Sequence, residues 1–252
     1  MKDEAACFLL ALQFLTRIPT PTDNIYTERR MARSLRYYPL VGLLIGLISA
    51  AVLAGAAFIL PYSVAIVLAV AAGLLVTGGF HEDGLADTFD GIGGGLTREK
   101  ALLIMKDSRL GTYGTLALVI VIALKVSALL SLPVGIAASA LVMAHGLSRL
   151  SSVLVIATST YVRDDGTGKP VAEGASRGSL FVASLTGALA VAGWAAVLPA
   201  TPLLYGLTGV VIGHVAMRGF FERKLGGYTG DTLGAVQQAS EIGFYLGVAA
   251  WL

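Results

Sequence analysis

The amino-acid sequence predicts an all-α, polytopic integral membrane helix bundle, and three observations carry that expectation. Of the 252 residues, 56% are hydrophobic and only 13% are charged, and the mean hydropathy of +0.78 lies above that of a soluble globular domain. The apolar residues fall into runs that approach or exceed the roughly 20 residues needed to cross the hydrocarbon, giving about seven transmembrane helices. The charged residues collect in the connections between those runs.

The first run, Ala5 to Ile18, is apolar but short, and Pro19 and Pro21 stop it. A short N-terminal interfacial or re-entrant helix is expected there rather than a further span. Asp3 and Glu4 spoil a basic n-region and no small-residue cleavage site follows, so the N-terminus is expected to be retained. Spans are expected to begin near Pro39, Tyr62, Thr112, Pro133, Gly178, Thr201 and Thr232. The longer connections lie at about 19 to 38, 79 to 111 and 160 to 177, with a shorter one from about 219 to 231. In the second, Gly91, Gly93, Gly94 and Gly95 are expected to break an acid-bearing helix, and Thr97 to cap a new one beginning at Arg98. No linker or repeat divides the chain, which reads as one integral membrane domain over 1–252.

Orientation follows from the loops. With the N-terminus in the cytoplasm, the connections holding Arg29, Arg30, Arg33, Arg36, Arg98, Lys100, Lys106, Arg109, Arg163, Lys169, Arg177, Arg218, Arg223 and Lys224 are cytoplasmic, and those near Pro61, Pro133 and Pro199 are short and uncharged. The formal charge of +2 is mild and the basic residues flank spans, so nucleic acid finds no support as a partner and the lipid bilayer does. The single cysteine, Cys7, excludes an internal disulfide or a thiolate metal cluster.

The scarce acids then become informative. Between Gly78 and Gly91 stand Glu82, Asp83, Asp87 and Asp90. On a helix, Asp83, Asp87 and Asp90 fall within an arc of roughly 60°, while Glu82 points elsewhere. A solvated helix face would intersperse basic partners, and none occurs between His81 and Gly95. A hard divalent cation relieves such repulsion, and magnesium is typically held by one or two carboxylates plus substrate phosphates. Asp87-Thr88-Phe89-Asp90-Gly91 also begins like the CDP-alcohol phosphotransferase motif, but no Ala-Arg follows and the next aspartate is Asp107.

Three further groups can serve such a site. Lys106 and Arg109 can hold phosphates, with Asp107 a further ligand or general base; a membrane-flanking ion pair is the plainer reading. The glycine-rich turn Gly226–Gly234 feeds a helix whose N-terminus can take an anion, and Asp231 can share a metal that bridges to it. Lys125, His145, Arg149, His214 and Glu241 lie within apolar runs, where an unpaired charge costs at least about 2.5–3.5 kcal/mol. By depth Lys125 and Glu241 can pair, and His145 and Arg149, one helical turn apart, stand nearer a substrate cavity.

Taken together, Thr16-Arg17-Ile18-Pro19, Tyr38-Pro39-Leu40-Val41-Gly42, the stretch Gly79–Gly91, Lys106–Gly114 and Gly227–Gly234 occur in the order seen in the cobalamin synthase family, the adenosylcobinamide-GDP ribazoletransferases. The chain resembles that family along nearly its full length, departing at Glu82, where an apolar residue is expected. The resemblance implies joining of adenosylcobinamide-GDP to α-ribazole or its 5′-phosphate with release of GMP, requiring Mg2+, at the plasma membrane of a prokaryote. It further implies metal binding by Asp83, Asp87, Asp90 and Asp231, and phosphate binding by Lys106, Arg109, Arg149 and Arg163. Arg163 comes from Tyr161–Gly168, which resembles the family's arginine-to-glycine segment. Asp107 and His81 are alternatives for the general base, and self-association or association with other corrinoid-pathway enzymes stays open. An aspartate-rich prenyltransferase of the UbiA type would need a second aspartate-rich motif in the later half, which isolated Asp231 does not supply. A transporter would place its acids near the bilayer midplane rather than in a connection.

Overall fold

In a computed structural model, which describes residues 2–21, 24–163, 171 and 176–252, the chain is a multi-pass membrane bundle of helices. The described helices are α1 (Lys2–Leu15), α2 (Glu28–Ser34), α3 (Tyr38–Ala56), α4 (Tyr62–Thr77), α5 (Phe80–Gly94), α6 (Arg98–Ile104), α7 (Thr112–Leu130), α8 (Val134–Thr158), α9 (Arg177–Val197), α10 (Ala200–Leu225) and α11 (Gly230–Ala249). Among the described residues the only β feature is an isolated bridge between Tyr161 and Tyr228.

Local chemistry sets the helix starts. Pro61, Pro133 and Pro199 stand at the N-caps of α4, α8 and α10 with φ near the value that the proline ring imposes. Thr27, Thr97, Ser176 and Thr229 cap α2, α6, α9 and α11 by accepting a backbone N–H of the first turn. Each expected span therefore begins within about two residues of an observed helix. The expected break falls at the end of the glycine run: α5 passes Gly91 and Gly93, ends at Gly94 with Gly95 as its C-cap, and Thr97 caps α6. Gly91 serves packing on α6 instead, since a Cβ there would come within 2.9 Å of the Ala101 carbonyl oxygen.

Length and composition do not confirm the expected count of about seven spans. They mark five, Glu28–Ala56, α7, α8, α9 and α10, or six when the pair α4 and α5, bent by 86°, is taken as one broken span. The last helix, α11, is left out because it carries Asp231, Gln237, Gln238 and Glu241. It can carry them because it sits inside the bundle against α5, α7, α8 and α10, where Gln237, Gln238 and Glu241 are at most 2% exposed. The other central column is α8, whose apolar stretch is 78% buried; α9 and α10 bury only 17% of theirs and turn apolar faces outward.

With 14 residues, α1 is too short to span. It is pinned beside α2 instead. Asp3 meets Arg30 at 2.7 Å, and Glu4 pairs with Arg33, accepts from Arg36 at 3.2 Å and accepts the Tyr37 hydroxyl at 2.8 Å.

Candidate active site

The site begins at a turn. Gly78 and Gly79 have φ of +67° and +68°, a left-handed conformation that costs glycine nothing and other L-residues strain. They end α4 and send α5 off at 86°, across the start of α11. The crossing is close because both helices put glycine there. A Cβ on Gly84 would stand 2.6 Å from the Asp231 carbonyl oxygen, and one on Gly234 would stand 2.9 Å from that of His81.

That contact brings distant carboxylates together. His81, Asp83, Arg149 and Asp231 line one pocket of about 100 Å³, walled by Phe14, Tyr38, Phe80 and Tyr228. Asp87 lies one helical turn beyond Asp83. Arg163 reaches in from the segment after α8, its NH2 2.7 Å from Asp231 Oδ2. Asp87 is acted on by the charges of Asp231, Asp83 and Arg163 together. His81 is buried, only 5% exposed.

These residues fit a hard cation in one particular way. Asp83, Asp87 and Asp231 act on one another through their charges, and Asp231 Oδ2 is a buried atom with no aligned hydrogen bond. Yet among the described residues no group of three or more Asp, Glu, His or Cys is placed as a ready cage. Such a donor set suits magnesium that binds one or two of these carboxylates with waters in its remaining positions and exchanges some of them for substrate phosphates, rather than an ion enclosed by protein.

Asp90 is otherwise engaged. Its Oδ2 accepts the Gly111 N–H at 2.7 Å and its Oδ1 the Gly114 N–H at 2.9 Å. It therefore caps α7 and satisfies orphan donors of that helix's first turn. Its place on the Asp83/Asp87 face holds by periodicity, but its oxygens are turned to backbone.

Nor are Lys106, Asp107 and Arg109 among the residues lining the pocket. Asp107 accepts from the Arg109 backbone N–H at 3.1 Å and from its guanidinium at 2.6 Å, which lowers the Asp107 carboxyl below its usual range. The Arg109 side chain is 87% exposed. Of the segment Tyr161–Gly168, residues 164–168 lie outside the described residues, as does Lys169.

Beneath the pocket, five charged or titratable side chains meet inside the bundle. Lys125 Nζ is 2.8 Å from Glu241 Oε1, the expected pairing, and 3.6 Å from Glu82 Oε1. His145 Nδ1 is 3.6 Å from Glu241 Oε2, and Arg149 donates to the His145 carbonyl at 2.9 Å. Gln238 donates to Glu82 and Gln237 to Glu241, at 2.8 and 2.7 Å. Glu82 thus has a role: it is a second counter-ion for Lys125.

Sequence reasoning missed Ser148, Ser152, Gln237 and Gln238. Ser148 accepts from Gln237 at 2.8 Å, and Ser152 lines the pocket and donates to the Leu233 carbonyl at 3.0 Å. A signal was present, because positions 145, 148, 149 and 152 form a polar stripe at helical spacing within an apolar run.

Comparison with known proteins gives a consistent picture. The family described as cobalamin-5-phosphate synthase matches residues 7–249. An adenosylcobinamide-GDP ribazoletransferase of Shewanella frigidimarina is 47% identical over 249 residues, covering 96% of this chain and 94% of its own. That of Leptothrix cholodnii is 47% identical over 255 residues, with 99% and 96% covered. That of Shewanella oneidensis is 44% identical over 250 residues, with 96% and 93% covered. No solved structure matches.

Proposed function

The chain belongs to the cobalamin-5-phosphate synthase family, and from that premise we propose that it is an adenosylcobinamide-GDP ribazoletransferase acting as a single unit over 1–252. It transfers the cobinamide phosphate moiety of adenosylcobinamide-GDP onto the 3′-hydroxyl of α-ribazole or its 5′-phosphate. The products are adenosylcobalamin, or its 5′-phosphate, and GMP, which completes the nucleotide loop of cobalamin. The observation that carries the reading is the meeting of Asp83, Asp231, Arg149 and His81 in one pocket, with Arg163 against Asp231.

The reaction needs negative charge controlled at a phosphoryl group and water kept away from it. Asp83, Asp87 and Asp231 are the residues that would hold magnesium. When bound, the ion supplies a counter-charge to the diphosphate. Arg149 and Arg163 bind phosphate oxygens through forked guanidinium groups. His81, which lines the pocket, takes the proton of the 3′-hydroxyl as the new O–P bond forms and the bond to GMP breaks. Asp107 is less suited to that task because its carboxylate is already shared with Arg109. Lys106 and Arg109 stay on an exposed segment, tied to α5 through the bond of Gly111 to Asp90, and are proposed to meet the leaving nucleotide. The aromatic walls exclude water that would hydrolyse the activated substrate. Loop charges favour a cytoplasmic N-terminus and site in the plasma membrane of a prokaryote.

The test is GMP release from adenosylcobinamide-GDP by the purified protein in lipid, with α-ribazole 5′-phosphate and with or without magnesium. Magnesium-dependent GMP and corrinoid product are expected. GMP no higher than in a no-enzyme control would overturn the reading, and diphosphate release from an allylic diphosphate would favour the prenyltransferase alternative.

A further inference from the structure

Two loops of the site are stitched together by backbone. The Val162 N–H donates to the Tyr228 carbonyl at 3.0 Å, and the Tyr228 N–H donates to the Thr160 carbonyl at 2.9 Å. This parallel bridge puts Arg163 one residue past its end on one side and Asp231 three residues past it on the other, so their side chains are held face to face. Both are largely buried, at 14% and 21% exposure. Among the described residues no other basic side chain pairs with Asp83, Asp87 or Asp231.

The contact is close but poorly bonded. Although the two atoms stand 2.7 Å apart, Arg163 NH2 and Nε and Asp231 Oδ2 are all buried without an aligned hydrogen bond. A well-formed arginine–carboxylate pair is bidentate, with two parallel N–H···O bonds. Here charge is neutralised without that geometry, and the oxygen concerned is one that a metal at Asp231 would need.

We propose that Arg163 is a place-holder cation: in the metal-free protein its guanidinium occupies Asp231, and it yields that carboxylate to the metal on loading, becoming free for a substrate phosphate. The proposal rests on Asp231 being a metal ligand. It makes Arg163 a competitor of the metal and a partner of the phosphate, so its removal has opposite effects on the two.

The experiment is a Mn2+ titration of the purified full-length protein without corrinoid or nucleotide, reading free Mn2+ by electron paramagnetic resonance. Arg163→Gln should bind Mn2+ about tenfold more tightly than wild type, the scale of losing one adjacent opposite charge, while its KM for adenosylcobinamide-GDP rises. Arg163→Lys, which keeps the charge, should bind Mn2+ close to wild type. In an Asp231→Asn background, Arg163→Gln should add nothing. If Arg163→Gln binds Mn2+ no more tightly than wild type while Asp231→Asn binds it more weakly, the place-holder role is overturned and the metal reading stands. Equal tightening by Gln and Lys would also overturn it. If Asp231→Asn binds Mn2+ as wild type does, the metal reading and the place-holder fail together.

Discussion

Asp87 stands near two other carboxylates, Asp231 and Asp83, whose charges bear on it. Among the described residues no hydrogen bond claims its oxygens as Asp90's are claimed, so its charge is available to a cation. In Asp87→Asn, calorimetric titration should show Mn2+ affinity lowered by about tenfold or more, with the thermal midpoint in detergent little changed. Asp90 predicts the contrary behaviour. Because its oxygens accept Gly111 and Gly114, Asp90→Ala should cost about 1–3 kcal/mol of stability by leaving two helix-end donors unpaired. The thermal midpoint in detergent should drop while Mn2+ affinity per folded molecule is retained. Periodicity alone could not separate the two aspartates. The donors that claim Asp90 come from a helix start 21 residues downstream, and a helical wheel carries no information about them.

At the scale of elements, the crossing of α5 over α11 decides whether there is a site. Gly84→Ala places a Cβ at 2.6 Å from a backbone oxygen of Asp231, an atom that cannot swing away as a side-chain tip does. Overpacking of this kind costs about 1–3 kcal/mol, and here its relief is separation of the helices that hold Asp83 and Asp231. Transfer should fall by more than tenfold while insertion is preserved, read as GMP release against membrane-extracted yield. The helices were legible in sequence because Pro61, Pro133, Pro199, Thr97 and Thr229 mark their starts by local chemistry. Which glycine of the run Gly91–Gly95 ends α5, and the span count, were less so. The helix continues past Gly91, which packs on α6, to Gly94, and α11 reads as a span only if its polar residues have partners elsewhere. Both conditions are tertiary.

For the molecule as a whole, the buried cluster under the pocket makes the bundle and the site one object, since Arg149 and His81 border both. Its formal charges balance, with Glu82 and Glu241 against Lys125 and Arg149. Removing one partner strands another, so Lys125→Met should destabilise by about 3–5 kcal/mol. Lys125→Met with Glu82→Gln should recover part of that loss in detergent melts. The Lys125–Glu241 pair was readable from depth in two apolar runs, whereas the Lys125–Glu82 contact was not, because Glu82 stands on α5, the helix that the bend at Gly78–Gly79 redirects. Glu82 also has a consequence in time. It precedes Lys125 in the chain, whereas Glu241 follows by more than a hundred residues, a delay on the order of ten seconds at ribosomal rates. During that interval the helix bearing Lys125 must enter the bilayer with Glu82 as its available counter-ion. Nascent chains arrested before α11 should thus resist carbonate extraction in wild type and lose that resistance in Glu82→Gln. This second acid, unneeded for a single ion pair, protects a lysine that is made before its main partner.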